Sequence, residues 1–550
     1  MPEKLSRLFS IVRSGAEPNI RYFMTNRQPL VWMLALAIGF SVAVAAILFR
    51  MAIGAVQSLW LGTSGENVGS AAASVPWLLV FLAPVCGGVI VGFIVHRFMP
   101  GDRPLGVADV IEARALGGRS LDLRQGLWSS VVNFVSLGFG ASAGREGPVV
   151  HLGATLSEAL CRNLKLTGTP ERTLIACGVA SAVSASFNAP IAGVLFAHEV
   201  ILGHYAMSAF VPIVISSVVG GVISRLWFGE VAAFIIPNYS LTSYLEIPAF
   251  ALLGVTCALV AIIFQFSLMG SDYVARSIKM PVWARPIIGG AMVGAIAIFF
   301  PDVLGVGYET TDAALKATLP IGLMLALLIA KTAATAITLA SRFGGGIFSP
   351  ALYLGAMTGG AFGLMAASVF PDMASSEGLY AIIGMGAVAA AVLGAPISTT
   401  VIVFELTGGY ALTIALLFTV SIAVGITQAV SGRSYFHWQL ESRGLFVAEG
   451  PHRYLFRTVR VRDFYEALPE KPADEETEAP EPFDPGEGNP YLRPGDTLET
   501  ALRMFDTSGA GTVPVVDPDD ATRIVGHASQ VRALAYFNRA LIDISVEEHR

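Results

Sequence analysis

Apolar runs follow one another almost without pause from residue 30 to about residue 431, and polar positions are confined to short turns between them. The runs 30–57, 76–96, 248–275, 321–340 and 412–430 are long, close to or above the ~20 residues a bilayer-crossing helix needs. The runs 105–117, 124–141, 146–160, 173–184, 190–203, 210–224, 286–299, 349–368, 379–392 and 396–408 are shorter or interrupted by Gly and Pro. Such helices are tolerated at membrane depth only where they pack inside protein or line a cavity. Their ends, meeting near the midplane, are where transporters build ion sites. The pattern predicts an all-α polytopic membrane protein.

The pattern also divides near 230–246. A long run opens each half, and each half carries a Gly-rich turn in its middle, at 144–148 and 344–350. This predicts an inverted repeat with halves of about 29–232 and 246–445, although residue-by-residue self-similarity is not evident. Lys4, Arg7, Arg13, Arg21 and Arg27 precede the first run, the loop 62–74 has no Lys or Arg, and His96, Arg97 and Arg103 mark the next turn. The excess of cations places the N-terminus and the turn near 100 in the cytosol.

The flanks read differently. In the leader 1–28, Leu5, Leu8, Phe9 and Val12 have helical spacing among cations, which suits an interfacial helix or an ordinary solvated one. Residues 446–490 form a basic, then acidic and Pro-rich linker, disordered from Glu466 to Pro490 by composition. Residues 491–545 read as a small α/β domain, with helices at 497–505 and from Ser529, and strands at 512–516 and 523–525.

Composition narrows the function. The 550 residues are 54% hydrophobic and 14% charged, against about 25% charged in ordinary globular chains. The net charge of -6 owes much to the acidic linker, and no nucleic-acid signature is present. Cys86, Cys161, Cys177 and Cys257 lie in apolar segments without metal-ligand spacing and read as unpaired thiols. The first apolar run starts behind a polar leader and is too long for a signal peptide. With no metal motif, phosphate loop or nucleophile–base pair, an enzyme is not expected.

The chemistry gathers at three turns. Gly-Arg-Glu-Gly-Pro at 144–148 places Arg145 and Glu146 inside the apolar segment 135–156, where a charge costs at least ~2.5–3.5 kcal/mol. Its proline suits a first helical turn, whose free N–H groups and partial positive charge make an anion site. Glu146 is then a tethered anion beside a site built for anions. Gly-Gly-Gly-Ile-Phe-Ser-Pro at 344–350 repeats the design and points the amides of Ile347 and Phe348 at one spot. Pro104 to Ala113, with Leu105 and Gly106, opens a third short helix.

These stretches resemble the CLC family of chloride channels and chloride/proton antiporters. Its signatures are G-S-G-I-P, G-K/R-E-G-P and G-x-F-x-P. The second is matched in full at 144–148 and continues as Val149-Val-His-Leu-Gly153, and the third is matched at 346–350. Phe187 to Phe196, Gly394 to Ser398 and Phe404 to Thr407 match further family stretches, so the resemblance covers about residues 30–445 in order. It implies a homodimer embedded in membrane lipid, with an anion pathway in each subunit, gated by Glu146. Arg145, Glu146 and Gly147 would line the outer anion site, and Ile347 and Phe348 the central one. Arg145 itself is expected in a salt bridge, because a bare guanidinium would hold an anion too tightly to release it.

Three positions depart from the family. Its serine ligand aligns with Leu105, and its tyrosine ligand with Phe436, so the central site loses two hydroxyls. The inner proton-carrying glutamate of many antiporters aligns with Val200, leaving His198, Glu199 and His204 as a candidate proton route. The tail resembles a single CBS repeat, through Pro494 to Ala501, Val513 to Asp517 and Ile524 to Gly526. Arg532 stands where nucleotide-binding repeats carry a ribose-contacting Asp, which argues against adenine nucleotide. No cofactor or metal is expected. The resulting expectation is a chloride-type anion transporter of a bacterial inner membrane, with passive conduction preferred over anion/proton antiport because of Val200. A CBS-regulated protein of another transport class is the remaining alternative.

Overall fold

Long apolar stretches with proline confined mostly to first turns have one low-energy backbone in lipid, the helix, because it satisfies every peptide group internally. The computed structural model describes residues 16–17, 21, 23–24, 28–116, 121–229, 234, 239, 244–371, 374–407, 410–446, 455–456, 459–468, 484 and 489–549. The first half holds α1 (Gln28–Leu61), α2 (Val68–Ser74), α3 (Trp77–Phe98), α4 (Val107–Leu116), α5 (Leu123–Gly138), α6 (Glu146–Asn163), α7 (Thr169–Phe187), α8 (Pro190–Phe196) with a π-helical extension Ala197–Leu202, and α9 (Met207–Phe228). The second holds α10 (Ile247–Ser277), α11 (Arg285–Phe299), α12 (Tyr308–Leu315), α13 (Ile321–Ala340), α14 (Phe348–Val369), α15 (Glu377–Leu393), α16 (Pro396–Thr407) and α17 (Tyr410–Ser431), followed by α18 (Tyr435–Glu441). Among the described residues, eight helical stretches are long and apolar enough to cross a membrane. The helices α2 and α12 were not foreseen, since both are short and neither is a continuous apolar run. Most of the N-terminal leader and of the acidic linker lies outside the described residues.

The repeat is visible at residue level once the helices are paired. Gly178 and Gly384, Asn188 and Gly394, Pro190 and Pro396, and Glu199 and Glu405 keep one constant separation along the chain. Asn188 and Gly394 end α7 and α15 in the left-handed conformation, with φ of 57° and 68°. Glycines let α6 approach α7, and α14 approach α15. A Cβ on Gly153 would lie 2.6 Å from the Gly178 carbonyl oxygen, and one on Gly384 2.5 Å from that of Gly355.

The two halves cap each other. The Glu199 carboxylate, on the extension of α8, accepts from the backbone N–H of Ile397 at 3.0 Å and of Ser398 at 2.7 Å, and from the Ser398 hydroxyl. In the other direction, Glu405 on α16 accepts from Ile191 N–H at 3.0 Å and Ala192 N–H at 2.7 Å. Each acid satisfies two donors that a helix N-terminus leaves without intrahelical partners.

A separate unit begins at His437. It contains β1 (Glu466–Ala467), α19 (Leu498–Ser508), β2 (Thr512–Val516), β3 (Ile524–Ser529) and α20 (Gln530–His549), with an antiparallel sheet in the order β1-β3-β2. Its core joins Val459, Val461 and Phe464 to Leu492, Leu498, Phe505, Val513 and Val515. Glu466 and Ala467, read from composition as the start of the disordered stretch, form its edge strand, because the apolar residues just before them anchor the chain in that core.

Candidate functional site

The Gly-rich turns of the two halves touch. Gly144 N–H donates to the Gly346 carbonyl and Gly346 N–H to the Gly144 carbonyl, both at 2.7 Å, in an antiparallel bridge. Side chains would prevent this approach. A Cβ on Gly147 would come within 3.3 Å of the Gly346 Cα and 3.6 Å of Val107 Cγ2. The starts of α4, α6 and α14 therefore meet at one place. Their first N–H groups and helix dipoles give it a positive potential.

Glu146 lies there with 2% of its surface exposed. A buried carboxylate requires compensating donors, and it has two. The Tyr308 hydroxyl donates to Oε1 at 2.6 Å, and the Ser349 hydroxyl donates to Oε2 at 2.6 Å. The side chain thus leaves the first turn of its own helix, α6, and lays its carboxylate across the first turn of α14. A Cβ on Gly144 would meet Oε2 at 2.7 Å and the Ser349 nitrogen at 3.1 Å, so glycine keeps this space clear.

Arg145 points elsewhere. Its Nη1 donates to Glu66 Oε1 at 2.7 Å, its guanidinium lies 4.9 Å from the Tyr308 ring centre, and its Nε is 3.9 Å from Glu146 Oε1. Ile347 and Phe348 are buried. The Phe348 ring packs against Phe187 at 4.9 Å and Phe196 at 6.3 Å between centroids, tying α14 to the ends of α7 and α8.

The remaining sequence-selected residues fall into three groups. Gly106 and Leu105 stand at the start of α4. Leu105 N–H donates to Ser129 Oγ at 2.9 Å, and its side chain packs on an apolar cluster that includes Val91, Val95 and Phe343. Asp109 fixes this turn by accepting from Gly106 N–H at 2.8 Å and from both terminal nitrogens of Arg103. Phe436 is buried beside Tyr435, 6.5 Å between ring centres. In the third group, His198 is buried, its Nδ1 sits 3.0 Å from the His204 carbonyl oxygen, and its ring stacks on Tyr205. His204 is also buried, Glu199 caps α16 and Val200 is half-buried.

Sequence reasoning missed Tyr308, Ser349, Glu66 and Lys331. Ser349 lies within the G-x-F-x-P stretch, at the position the pattern leaves free. Lys331 is the one cation in the apolar run 321–340. It is fully buried and donates to the carbonyls of Val303 and Gly305, each at 2.9 Å. It thereby fixes the loop that ends in Tyr308. In the C-terminal unit, Arg532 pairs with Glu466 at 2.7 Å, and the Tyr465 ring lies over Gly526.

Comparison with known proteins gives concordant results. The family model described as voltage gated chloride channel matches residues 87–428. The ClcB-like protein of Ralstonia nicotianae is 32% identical over 391 residues, covering 70% of this chain and 91% of that relative. The H(+)/Cl(-) exchange transporter ClcA of Klebsiella pneumoniae is 28% identical over 431 residues, covering 76% and 89%. Among solved structures, a slow cyanobacterial Cl-/H+ antiporter superposes with a TM-score of 0.68 at 22% identity, over 75% of this chain and 97% of that one.

Proposed function

The chain belongs to the voltage gated chloride channel family, and from that premise we propose that it exchanges chloride, or a similar small anion, for protons, with Glu146 as the gate. Anion transport across a membrane is the family's activity; the coupling and the residue assignments are the proposal. One observation carries it. The Glu146 carboxylate lies buried across the first turn of α14, held by Tyr308 and Ser349, in a place suited to a small anion. An anion can compete with it there, and a proton can neutralise it, so one side chain answers both species.

The amides at the starts of α6 and α14 are the anion donors in this reading, and Arg145 lends its field rather than a direct contact. Exchange transporters among the relatives favour coupling over the passive conduction that Val200 suggested. Passive conduction remains the second reading, on the observation that Val200 has no ionisable group and that the carboxylate of neighbouring Glu199 is engaged as a helix cap. Under antiport, His198 and His204 are the nearby groups able to pass a proton inward. We further propose a homodimer in a bacterial inner membrane with N-terminus and tail in the cytosol, and a structural rather than nucleotide-sensing tail.

The deciding experiment is chloride efflux from proteoliposomes with external pH recorded alongside. A chloride gradient that drives protons uphill is expected, and chloride efflux without proton movement overturns the coupling. Glu146→Gln is expected to remove the pH dependence while anion flux survives; persistent pH dependence and coupling in that variant would remove Glu146 from the gate.

A further inference from the structure

The carboxylate nearest the gate residues on the other side of Arg145 is Glu66, in the loop between α1 and α2. Its Oε1 accepts from two guanidiniums at once, Arg145 Nη1 at 2.7 Å and Arg50 Nη2 at 2.8 Å. The Glu66 side chain is 36% exposed, whereas that of Arg145 is 9% exposed. All three line a cavity of about 540 Å³ together with Tyr308. The same three and Tyr308 also line a neighbouring cavity of about 500 Å³, which adds Glu309 and Asp312. Arg50 is steadied from behind by the Phe228 ring, 4.1 Å from its guanidinium carbon.

Two guanidiniums beside one anion route pose a physical problem. A pair of fixed cations at the mouth attracts anions and speeds entry, but the same pair, unneutralised, holds the anion and slows its release. Glu66 occupies the donors that would otherwise close around an arriving anion. It also draws the guanidinium of Arg145 toward the cavity, leaving only Nε at 3.9 Å from Glu146.

We propose that Glu66 is a positioning residue for transport: by sharing one oxygen between Arg50 and Arg145, it keeps the entrance attractive to anions without making it a trap. The proposal rests on the reading that the anion passes beside Glu146. It assigns Glu66 a part in setting anion affinity against turnover, not in the chemistry of the gate.

The test uses the full chain, with sodium chloride as the probe. Chloride Kd is measured by calorimetry in detergent, and chloride KM and maximal rate by flux in proteoliposomes. Glu66→Gln is expected to lower Kd and KM by roughly fivefold, the effect of about one kcal/mol, and to lower the maximal rate. Glu66→Asp, which keeps the charge, restores values near those of the parent. Arg50→Gln in the Glu66→Gln background reverses part of the affinity gain. A Glu66→Gln protein that loses rate with Kd and KM unchanged or raised overturns the proposal, because a merely structural salt bridge behaves that way. Failure of the gate reading is separable: Glu146→Gln would then leave pH dependence intact, while the Glu66→Gln affinity shift stands or falls by itself.

Discussion

Removing the Tyr308 hydroxyl should release the gate by a calculable amount. Tyr308→Phe keeps the ring under Arg145 and against Phe234, whose centroid is 5.2 Å away, and deletes only the donor to Glu146 Oε1. A hydrogen bond to a charged group contributes about 1.5–3 kcal/mol net, and each 1.4 kcal/mol is about tenfold in an equilibrium constant. The carboxylate therefore leaves its seat at least ~10-fold more readily, and under the proposed competition for that place chloride should bind tighter by a similar factor. Ser349→Ala removes the donor to the other oxygen and should do the same. Because the two hydroxyls hold one rigid carboxylate, the double variant should gain less than the sum of the singles. Calorimetric titration of chloride into the parent, the two single variants and the double variant measures all four terms. If both single variants bind chloride within about twofold of the parent, while Glu146→Gln binds it much tighter, the hydroxyls do not hold the gate and the reasoning fails.

Two further expectations concern groups outside the gate. Lys331→Met leaves the Val303 and Gly305 carbonyls without their donor, which costs ~1–3 kcal/mol for each. It should lower the melting temperature in detergent, with Lys331→Arg falling less, as read by thermal-shift size exclusion. Glu199→Gln weakens the cap on α16 and should cost stability on the same assay while proton coupling in proteoliposomes is retained; loss of coupling with unchanged stability would instead place Glu199 on the proton route.

The helices were legible because apolar runs follow one another almost without pause over most of the chain, and Pro148, Pro190, Pro350 and Pro396 mark where new helices begin. The pairing of the two Gly-rich turns was legible as a likeness between halves, but their direct contact was not, since a hydrogen bond between Gly144 and Gly346 leaves no trace in either local sequence. The gate's partners were hidden for the same reason. Tyr308 approaches Glu146 from the first position of the short helix α12, which no apolar run singles out. Glu66 stands alone in a short polar loop, and only the fold brings Arg50 and Arg145 onto it. The internal repeat escaped a residue-level reading because its identical stretches are as short as Ala189-Pro-Ile191 and Ala395-Pro-Ile397, and the weight of positions such as Glu199 and Glu405 shows in the bonds they make.

Those crossed caps also limit how the protein can work. Many repeat-built transporters expose their sites by rocking one half against the other. Here such a movement would tear two acids from the helices they cap and part the doubly bonded glycines, separating backbone donors and acceptors from the partners they hold now. On the gate proposed above, a stationary scaffold with one swinging carboxylate is the cheaper machine, and its speed is then set by a rotamer and its hydrogen bonds rather than by the repacking of a domain.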